Sequence, residues 1–484
     1  MPIDTNIKLL LNCRTKIVAT LGPSSNDIGT IESLIDAGAD IFRLNMSHGT
    51  HDDHAATYGH IRSAAQKLKR PVSVLADLCG PKIRVGAFQG GRVELVRGSS
   101  VTVTCRDVEG FPGLIPSQYR ALASDVKAGD RILLDDGNFE LRVESVDGTE
   151  ISCKVINGGL LRDHKGMNLP GVNISTPSLT EKDRIDALFA VGLGVDFLAL
   201  SFVRRGSDVE SLRSLISQTG AHVSIVAKIE KPEALDHIND IIEAADAIMV
   251  ARGDLGVELP PQSVPNAQDQ LIDLARRTRK PVIVATQMLE SMIEHPRPTR
   301  AEVSDVATAV RSGADAVMLS AETAAGRYPI EAVKMMDGIA RQTEAYLWRR
   351  GAFGSLSRHD DTPRPLPVED ALSESMAHLS RDLLVRAIVV ISLNDHALAV
   401  MSSSRPAAPI VGICPDYRAS CIANLLWGVI PVTVDLAGID NPISLARRIV
   451  MEYGLAAKGQ SILVVQGFHS DPQQNTPSVT AVTV

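Results

Sequence analysis

Short aliphatic runs that end in a polar residue recur along the chain. They read TKIVATLG at 15–22, DIFRLNMSHG at 40–49, PVSVLADLCG at 71–80 and DFLALSFV at 196–203. VSIVAKIE at 223–230, DAIMVARGD at 246–254, PVIVATQM at 281–288 and DAVMLSAET at 315–323 complete the set. Runs this short and this continuously apolar are the pattern of parallel strands buried on both faces. Between them, segments such as TIESLIDAG, DRIDALFAVG, DVESLRSLISQTG and DQLIDLARRTRK place apolar residues at spacings of three and four, which predicts helices. Thr299 and Glu302 form an S/T-x-x-E capping box at the start of another. Four of the runs follow nearly the same tripeptide: GAD at 38–40, GVD at 194–196, AAD at 244–246 and GAD at 313–315. Strand then helix, eight times over, predicts an α/β chain built on a (β/α)8 TIM barrel. A doubly wound open sheet is the alternative, and the count of eight with internal similarity favours closure.

The period changes between the third and fourth runs. RVELV, SVTVTC, RILLDD and FELRVESV alternate apolar and polar residues, and Asp136-Gly137, Asp147-Gly148 and Gly158-Gly159 punctuate them as hairpin turns. A small β-barrel lid domain inserted at 85–172 is the expectation, on the face where such a domain closes over a site. The barrel is then discontinuous, 1–84 and 173–345. A polar, Pro-rich stretch at 351–368 reads as a linker. AIVVIS, PIVGIC, IPVTV, SILVVQG and SVTAVTV beyond it predict a second, smaller C-terminal α/β domain, 346–484.

Composition narrows the function. A chain of 484 residues is long for a single core. A net charge of −8 leaves no basic face for nucleic acid, so an anion must be held by local bases. Six cysteines form no CxxC pair and no zinc spacing, which fits a reducing cytoplasmic setting. No signal peptide or membrane-spanning run is legible, so no membrane partner is expected.

Active sites of such barrels lie where the strands end. The residues gathered there are Arg43, Asn45, Ser47 and His48; Asp77, Lys82 and Arg84; Ser201; Lys228 and Glu230; Arg252, Gly253 and Asp254; Thr286 and Gln287; and Ser320 and Glu322. So dense a set of charges on one face is costly unless it binds something charged. Glu230 and Asp254 are hard oxygen ligands suited to Mg²⁺ or Mn²⁺, or else ion-pair partners of Lys228 and Arg252. Lys228 and Arg43 suit a clamp on a transferring phosphoryl group or an enolate oxygen, against a structural ion pair for Arg43. Thr286 and Ser320 read either as helix caps or as a proton relay. No Walker motif and no GxGxxG follows a strand, so a nucleotide would not sit in a Gly-rich loop.

These residues resemble the pyruvate kinase family over essentially the whole chain. The motifs that carry the resemblance are IVAKIEKPEAL at 225–235, IFRLNMSHGTH, MVARGDLGVE, VATQMLESM, PTRAEVSDVATAV and MLSAETAAGRYP. The resemblance implies phosphoryl transfer from phosphoenolpyruvate to ADP, giving pyruvate and ATP, the last step of glycolysis (an ATP:pyruvate 2-O-phosphotransferase). It implies that Glu230 and Asp254 ligate the divalent ion, and that Lys228 and Arg43 stabilise the phosphoryl group. It further implies that Gly253, Asp254 and Thr286 hold the substrate carboxylate, and that Thr286 and Ser320 relay the proton enolpyruvate must gain. Pro23, His48, Arg84 and Lys165 would border the nucleotide, Lys165 arriving on the lid. A cytoplasmic homotetramer under allosteric control is the family's expectation.

Two departures bear on control. In potassium-requiring members the position of Lys82 is a glutamate, and Asn45, Ser47, Asp77 and the carbonyl of Leu78 match the monovalent-cation position. A lysine there is associated with K⁺ independence, its ammonium replacing the ion, against a plain surface lysine making no contact. In the C-terminal domain, members activated by fructose 1,6-bisphosphate carry a small-residue phosphate loop where this chain has ISLNDHALAV at 391–400. Asn394, Asp395 and His396 stand there, which argues against that effector. Ser402-Ser403-Ser404-Arg405 offers another place for a phosphorylated ligand, against a plain polar loop. The competing readings are a barrel lyase or aldolase on an enolpyruvate-type substrate, and a catalytically silent sugar-phosphate sensor.

Overall fold

The computed structural model describes residues 13–350, 365–391, 396–435, 441–469, 471 and 473–484. Most of the 351–368 linker, and Asn394 and Asp395, lie outside the described residues.

All eight aliphatic runs are strands of one closed parallel barrel. Their order round the ring is Lys16–Thr20, Ile41–Asn45, Ser73–Asp77, Phe197–Leu200, Ser224–Ile229, Ala247–Ala251, Val282–Ala285 and Ala316–Leu319. The last pairs with the first, Lys16 opposite Ala316, so the open-sheet alternative is excluded. The ring is solid inside: Val18, Ile41, Leu75, Val226, Met249, Ile283 and Met318 fill it. Leu425, from the C-terminal domain, is buried with them and plugs the end opposite the strand termini.

The repeated tripeptides have a mechanical job. Gly38, Gly194 and Gly313 end their helices in the left-handed conformation, with φ of 118°, 85° and 93°. Two residues on, the aspartate side chain accepts a backbone N–H of the neighbouring strand. Asp40 takes Ile17 at 3.0 Å, Asp196 takes Val74 at 2.7 Å, Asp246 takes Ile225 at 2.8 Å and Asp315 takes Val282 at 3.0 Å. Three of the barrel helices open on Thr50, Thr180 and Thr299, each with a reciprocal capping box.

Between the third and fourth barrel strands lie a six-stranded sheet and a two-stranded one, with their own core around Val103, Ile132, Leu141, Cys153 and Leu161. The C-terminal α/β domain carries a five-stranded sheet in the order Val429–Thr433, Ile410–Cys414, Ile388–Ile391, Ser461–Gln466 and Ser478–Thr483, the last strand antiparallel. Each of the five aliphatic runs expected there is a strand. Arg405 ties this domain to the barrel through an ion pair with Asp315 at 2.9 Å and stacks over Trp427. Among the described residues no helix is long and apolar enough to cross a membrane.

Candidate active site

Four of the expected residues form one network at the strand ends. Lys228 and Glu230, two apart, project to the same side, and Lys228 Nζ lies 2.9 Å from Glu230 Oε1. On the other side Nζ is 3.2 Å from Asp77 Oδ1, and Arg43 Nε donates to Asp77 Oδ2 at 2.7 Å. Arg43 Nη1 donates to Thr20 Oγ1 at 3.1 Å. Burial alone would raise the Asp77 carboxyl, but Lys228 and Arg43 outweigh it and hold it below the usual range. Burial alone would discharge Lys228; Asp77 and Glu230 reverse that and keep its ammonium charged. Glu230 is raised, first by burial and then by the charge of Asp254, against the pull of Lys228.

The structure thus decides one ambiguity for Glu230 and Asp254. Glu230 does pair with Lys228. Arg252 pairs instead with Asp305 at 2.6 Å, and Asp254, half-buried, has no hydrogen-bond or ion-pair partner among the described residues. Its charge is felt by Glu230, whose carboxyl it helps to raise. Two hard carboxylates in that state suit a divalent ion that keeps water and substrate oxygens as its other ligands. Among the described residues no group of three or more His, Cys, Asp or Glu gathers elsewhere for a metal.

Thr286 sits at φ 71° and Gln287 at φ 54°, costly for a β-branched residue and its neighbour. Arg252 holds the turn by donating to the Thr286 carbonyl at 2.8 Å. The Thr286 hydroxyl donates to Ala285 O at 2.6 Å and accepts from Gly253 N, in the first turn of the helix Arg252–Glu258, at 2.7 Å, so it caps no helix of its own. Gly253 N–H, expected to face a substrate carboxylate, is in this state engaged by Thr286. Ser320 precedes a short helix without capping it by its side chain, and its N–H goes to Glu322 Oε2 at 2.7 Å.

The expected nucleotide residues are spread along the rim. Pro23 and His48 are exposed in loops after the first and second strands. Arg84, the last barrel residue before the insert, donates to His164 O of the insert at 2.9 Å, and Lys165 pairs with Asp135 within it at 2.8 Å. Asn45 Oδ1 accepts from Ser47 N at 3.1 Å. Lys82 is exposed and makes no ion pair among the described residues; it does not touch Asp77, whose charge is met by Arg43 and Lys228. Lys82 lines a narrow crevice of about 30 Å³ between barrel and insert, with Asp136, Asn168, Arg204, Lys231 and Asp254. In the C-terminal domain, His396 is tied to Glu369 at 2.9 Å. Ser402 donates to Trp427 O and Ser404 to Met401 O, each at 2.9 Å, and Arg405 is spent on Asp315, so this stretch serves packing.

Sequence reasoning missed two contributors. Lys231 and Glu258 form a buried pair at 2.5 Å, and Asn168 of the insert donates to the same Glu258 oxygen at 3.3 Å. Ser201 was visible only as a strand-end residue, yet Lys228 Nζ donates to its hydroxyl at 2.7 Å.

Fold and site together define a (β/α)8-barrel enzyme with a cationic, carboxylate-framed centre at the strand ends. Family models for the pyruvate kinase barrel domain and the pyruvate kinase alpha/beta domain match residues 12–333 and 370–480. The chain is 43% identical over 458 residues to a pyruvate kinase of Geobacillus stearothermophilus, covering 94% of this chain and 77% of that one. It is 42% identical over 457 residues to that of Staphylococcus aureus strain MRSA252, with the same coverage. A crystal structure of a pyruvate kinase from Cryptosporidium parvum superposes with a TM-score of 0.89 at 34% identity, covering 98% of both chains. The chain belongs to the pyruvate kinase family, and its enzyme activity is that family's. The family works on phosphoenolpyruvate and ADP and generally uses Mg²⁺ and K⁺.

Proposed function

We propose that this chain transfers the phosphoryl group of phosphoenolpyruvate to ADP without needing K⁺, with Lys228 and Arg43 as the anion-stabilising pair. The observation that carries it is the shared grip of those two cations on Asp77 beside the Glu230–Asp254 carboxylates. Phosphoryl transfer asks for charge neutralisation and alignment more than for covalent chemistry, and this centre supplies both. Glu230 and Asp254 would hold Mg²⁺ or Mn²⁺, which supplies charge neutralisation to the transferring group. Lys228 faces the developing enolate, Gly253, Asp254 and Thr286 orient the carboxylate, and Thr286 and Ser320 flank the path by which the methylene carbon gains its proton. Pro23, His48, Arg84 and Lys165 border the nucleotide, with 85–172 acting as a lid over the barrel of 1–84 and 173–345.

Lys82 supports K⁺ independence by its position. It is unpaired among the described residues, and Asp77 Oδ1 lacks a hydrogen bond although it is buried. Lys82 brings an ammonium into the loop that follows Asp77, at the position where potassium-requiring members carry a glutamate. The Leu78 carbonyl, a ligand position in potassium-requiring members, already accepts from Ser201 at 2.7 Å. Fructose 1,6-bisphosphate is not the effector, and 346–484 regulates a cytoplasmic homotetramer through some other ligand.

A coupled assay tests this: pyruvate formed from phosphoenolpyruvate and ADP with Mg²⁺, in potassium-free and sodium-free buffer with tetramethylammonium as counterion. Full turnover there, and none without ADP, is expected. Pyruvate release without ADP would instead favour a lyase. Many-fold activation by KCl would overturn K⁺ independence, and a strong leftward shift of the phosphoenolpyruvate curve by fructose 1,6-bisphosphate would overturn the statement on the effector.

A further inference from the structure

Lys228 is surrounded by charge but aimed by a neutral group. Its neighbours Glu230 and Asp77 lie at ion-pair distance, yet Asp77 Oδ1 receives no hydrogen bond. Coulomb attraction falls off gently with distance and has no preferred direction, so those two carboxylates fix the ammonium's charge more than its orientation. The contact with hydrogen-bond geometry is the one to Ser201 Oγ at 2.7 Å.

Ser201 cannot turn away. Its side chain is buried, at 2% exposure, and its own proton goes to the Leu78 carbonyl at 2.7 Å. With the proton committed there, the oxygen's lone pairs are left for Lys228. Phe202, the next residue, sits at φ 56°, an uncommon conformation for a bulky side chain, and its N–H donates to Glu230 Oε2 at 2.7 Å. Gly80 closes the turn from above: a Cβ there would stand 2.6 Å from the Phe202 ring and 3.0 Å from Ser201 Cβ. The two-residue turn therefore presents an acceptor to the lysine and a donor to the acid, clamped by the loop that begins at Asp77.

We propose that Ser201 is a positioning residue for phosphoryl transfer, holding the Lys228 ammonium in the orientation in which it meets substrate. This rests on the role given to Lys228 above. Both carboxylates have other duties, Asp77 toward Arg43 and Glu230 toward a divalent ion. The Ser201 oxygen, its proton given to Leu78, accepts from Lys228, so its hold on the ammonium persists when theirs is shared. A loss of aim costs rate rather than substrate affinity, because misplacement by a fraction of an ångström is felt where the charge develops.

The test compares Ser201→Ala, Ser201→Thr and Lys228→Met, each as the full chain, by steady-state kinetics and thermal melting. Ser201→Ala should lower kcat by about 10- to 100-fold, leave KM for phosphoenolpyruvate within about threefold, and melt within a few degrees of the parent. Ser201→Thr restores a hydroxyl and should recover most of kcat; a merely space-filling role would predict no such rescue. Ser201→Ala with kcat within twofold of the parent overturns the inference, as does equal loss in both Ser201 variants at unchanged melting temperature. If the threonine variant melts early, Ser201→Cys replaces it, with partial recovery expected and none overturning. Lys228→Met separates the two levels. If it stays active, the reading of the site fails; if it is dead while Ser201→Ala keeps kcat within twofold of the parent, only the present inference fails.

Discussion

Lys228 and Glu230 stand two residues apart at the end of one barrel strand with Nζ and Oε1 2.9 Å apart, a buried base and a buried acid fixed by the period of the strand. Neither would remain charged alone at that depth, and each changes the other's protonation. Removing the acid's charge therefore tests the pair and the ion site at once. Glu230→Gln should weaken Mn²⁺ binding at least about tenfold, read from the free-Mn²⁺ EPR signal, and lower kcat by about 10² or more. Unchanged Mn²⁺ affinity would remove Glu230 from the ligand set.

Thr286→Gly should separate stability from activity. Glycine relieves a φ of 71°, so the melting temperature should hold or rise although a hydroxyl is lost. Loss of the Oγ1 contact with Gly253 should lower kcat by about 10- to 100-fold. A variant that is both less stable and fully active contradicts the assignment.

Lys82→Glu should create a potassium requirement. Rates in tetramethylammonium buffer should drop at least about tenfold and recover on adding KCl. Equal rates with and without KCl would show that the residue at 82 does not stand in for a cation.

Glu258→Ala should loosen the seam between barrel and insert. It strands the buried Lys231 ammonium and takes the acceptor from Asn168, a change of the kind that costs about 3–5 kcal/mol. Calorimetry should show a lowered transition; replacing both partners, as Lys231→Met with Glu258→Leu, should recover part of it.

Alkaline pH should destabilise the fold through its thiols. Burial pushes Cys153 and Cys421 up to about 12 from an ordinary 9.0. Above pH 9 the unfolded chain has lost those protons while the folded one keeps them, so stability falls as pH climbs toward 12. At pH 10 the loss is on the order of 1 kcal/mol per thiol. The drop in melting temperature between pH 8 and pH 10 should be smaller in Cys421→Ala than in the parent; an equal drop would refute the linkage.

The fold was legible because strand, helix and cap each leave a local mark. Continuous aliphatic runs gave all eight barrel strands, and Thr299 with Glu302 marked a helix start that the structure reproduces. The charged centre was legible in outline, since Arg43, Asp77, Lys228 and Glu230 all end strands of one ring. Which of them touch was not. Whether Arg252 meets Asp254 or Asp305 depends on a residue 53 positions away on another helix. Ser201 carries no charge and no motif of its own, so its bond to Lys228 appears only when two strands lie side by side. Lys82 shows the opposite failing: its position in the loop suggested contact with Asp77, and the side chain points to the crevice instead.

The four aspartate contacts at the foot of the barrel do more than fix register. Asp40, Asp196, Asp246 and Asp315 each begin an even-numbered strand and bind the odd-numbered strand before it in the ring. At its foot the ring is thus joined as four doublets, while Arg43–Asp77 and Lys228–Ser201 tie neighbouring doublets at the opposite end. The inserted sheet departs after the third strand and so parts the two halves of one doublet in sequence, yet Asp196 still reaches Val74 at 2.7 Å. A chain can take in a whole foreign module at that point because the closure of its barrel is secured from the opposite pole.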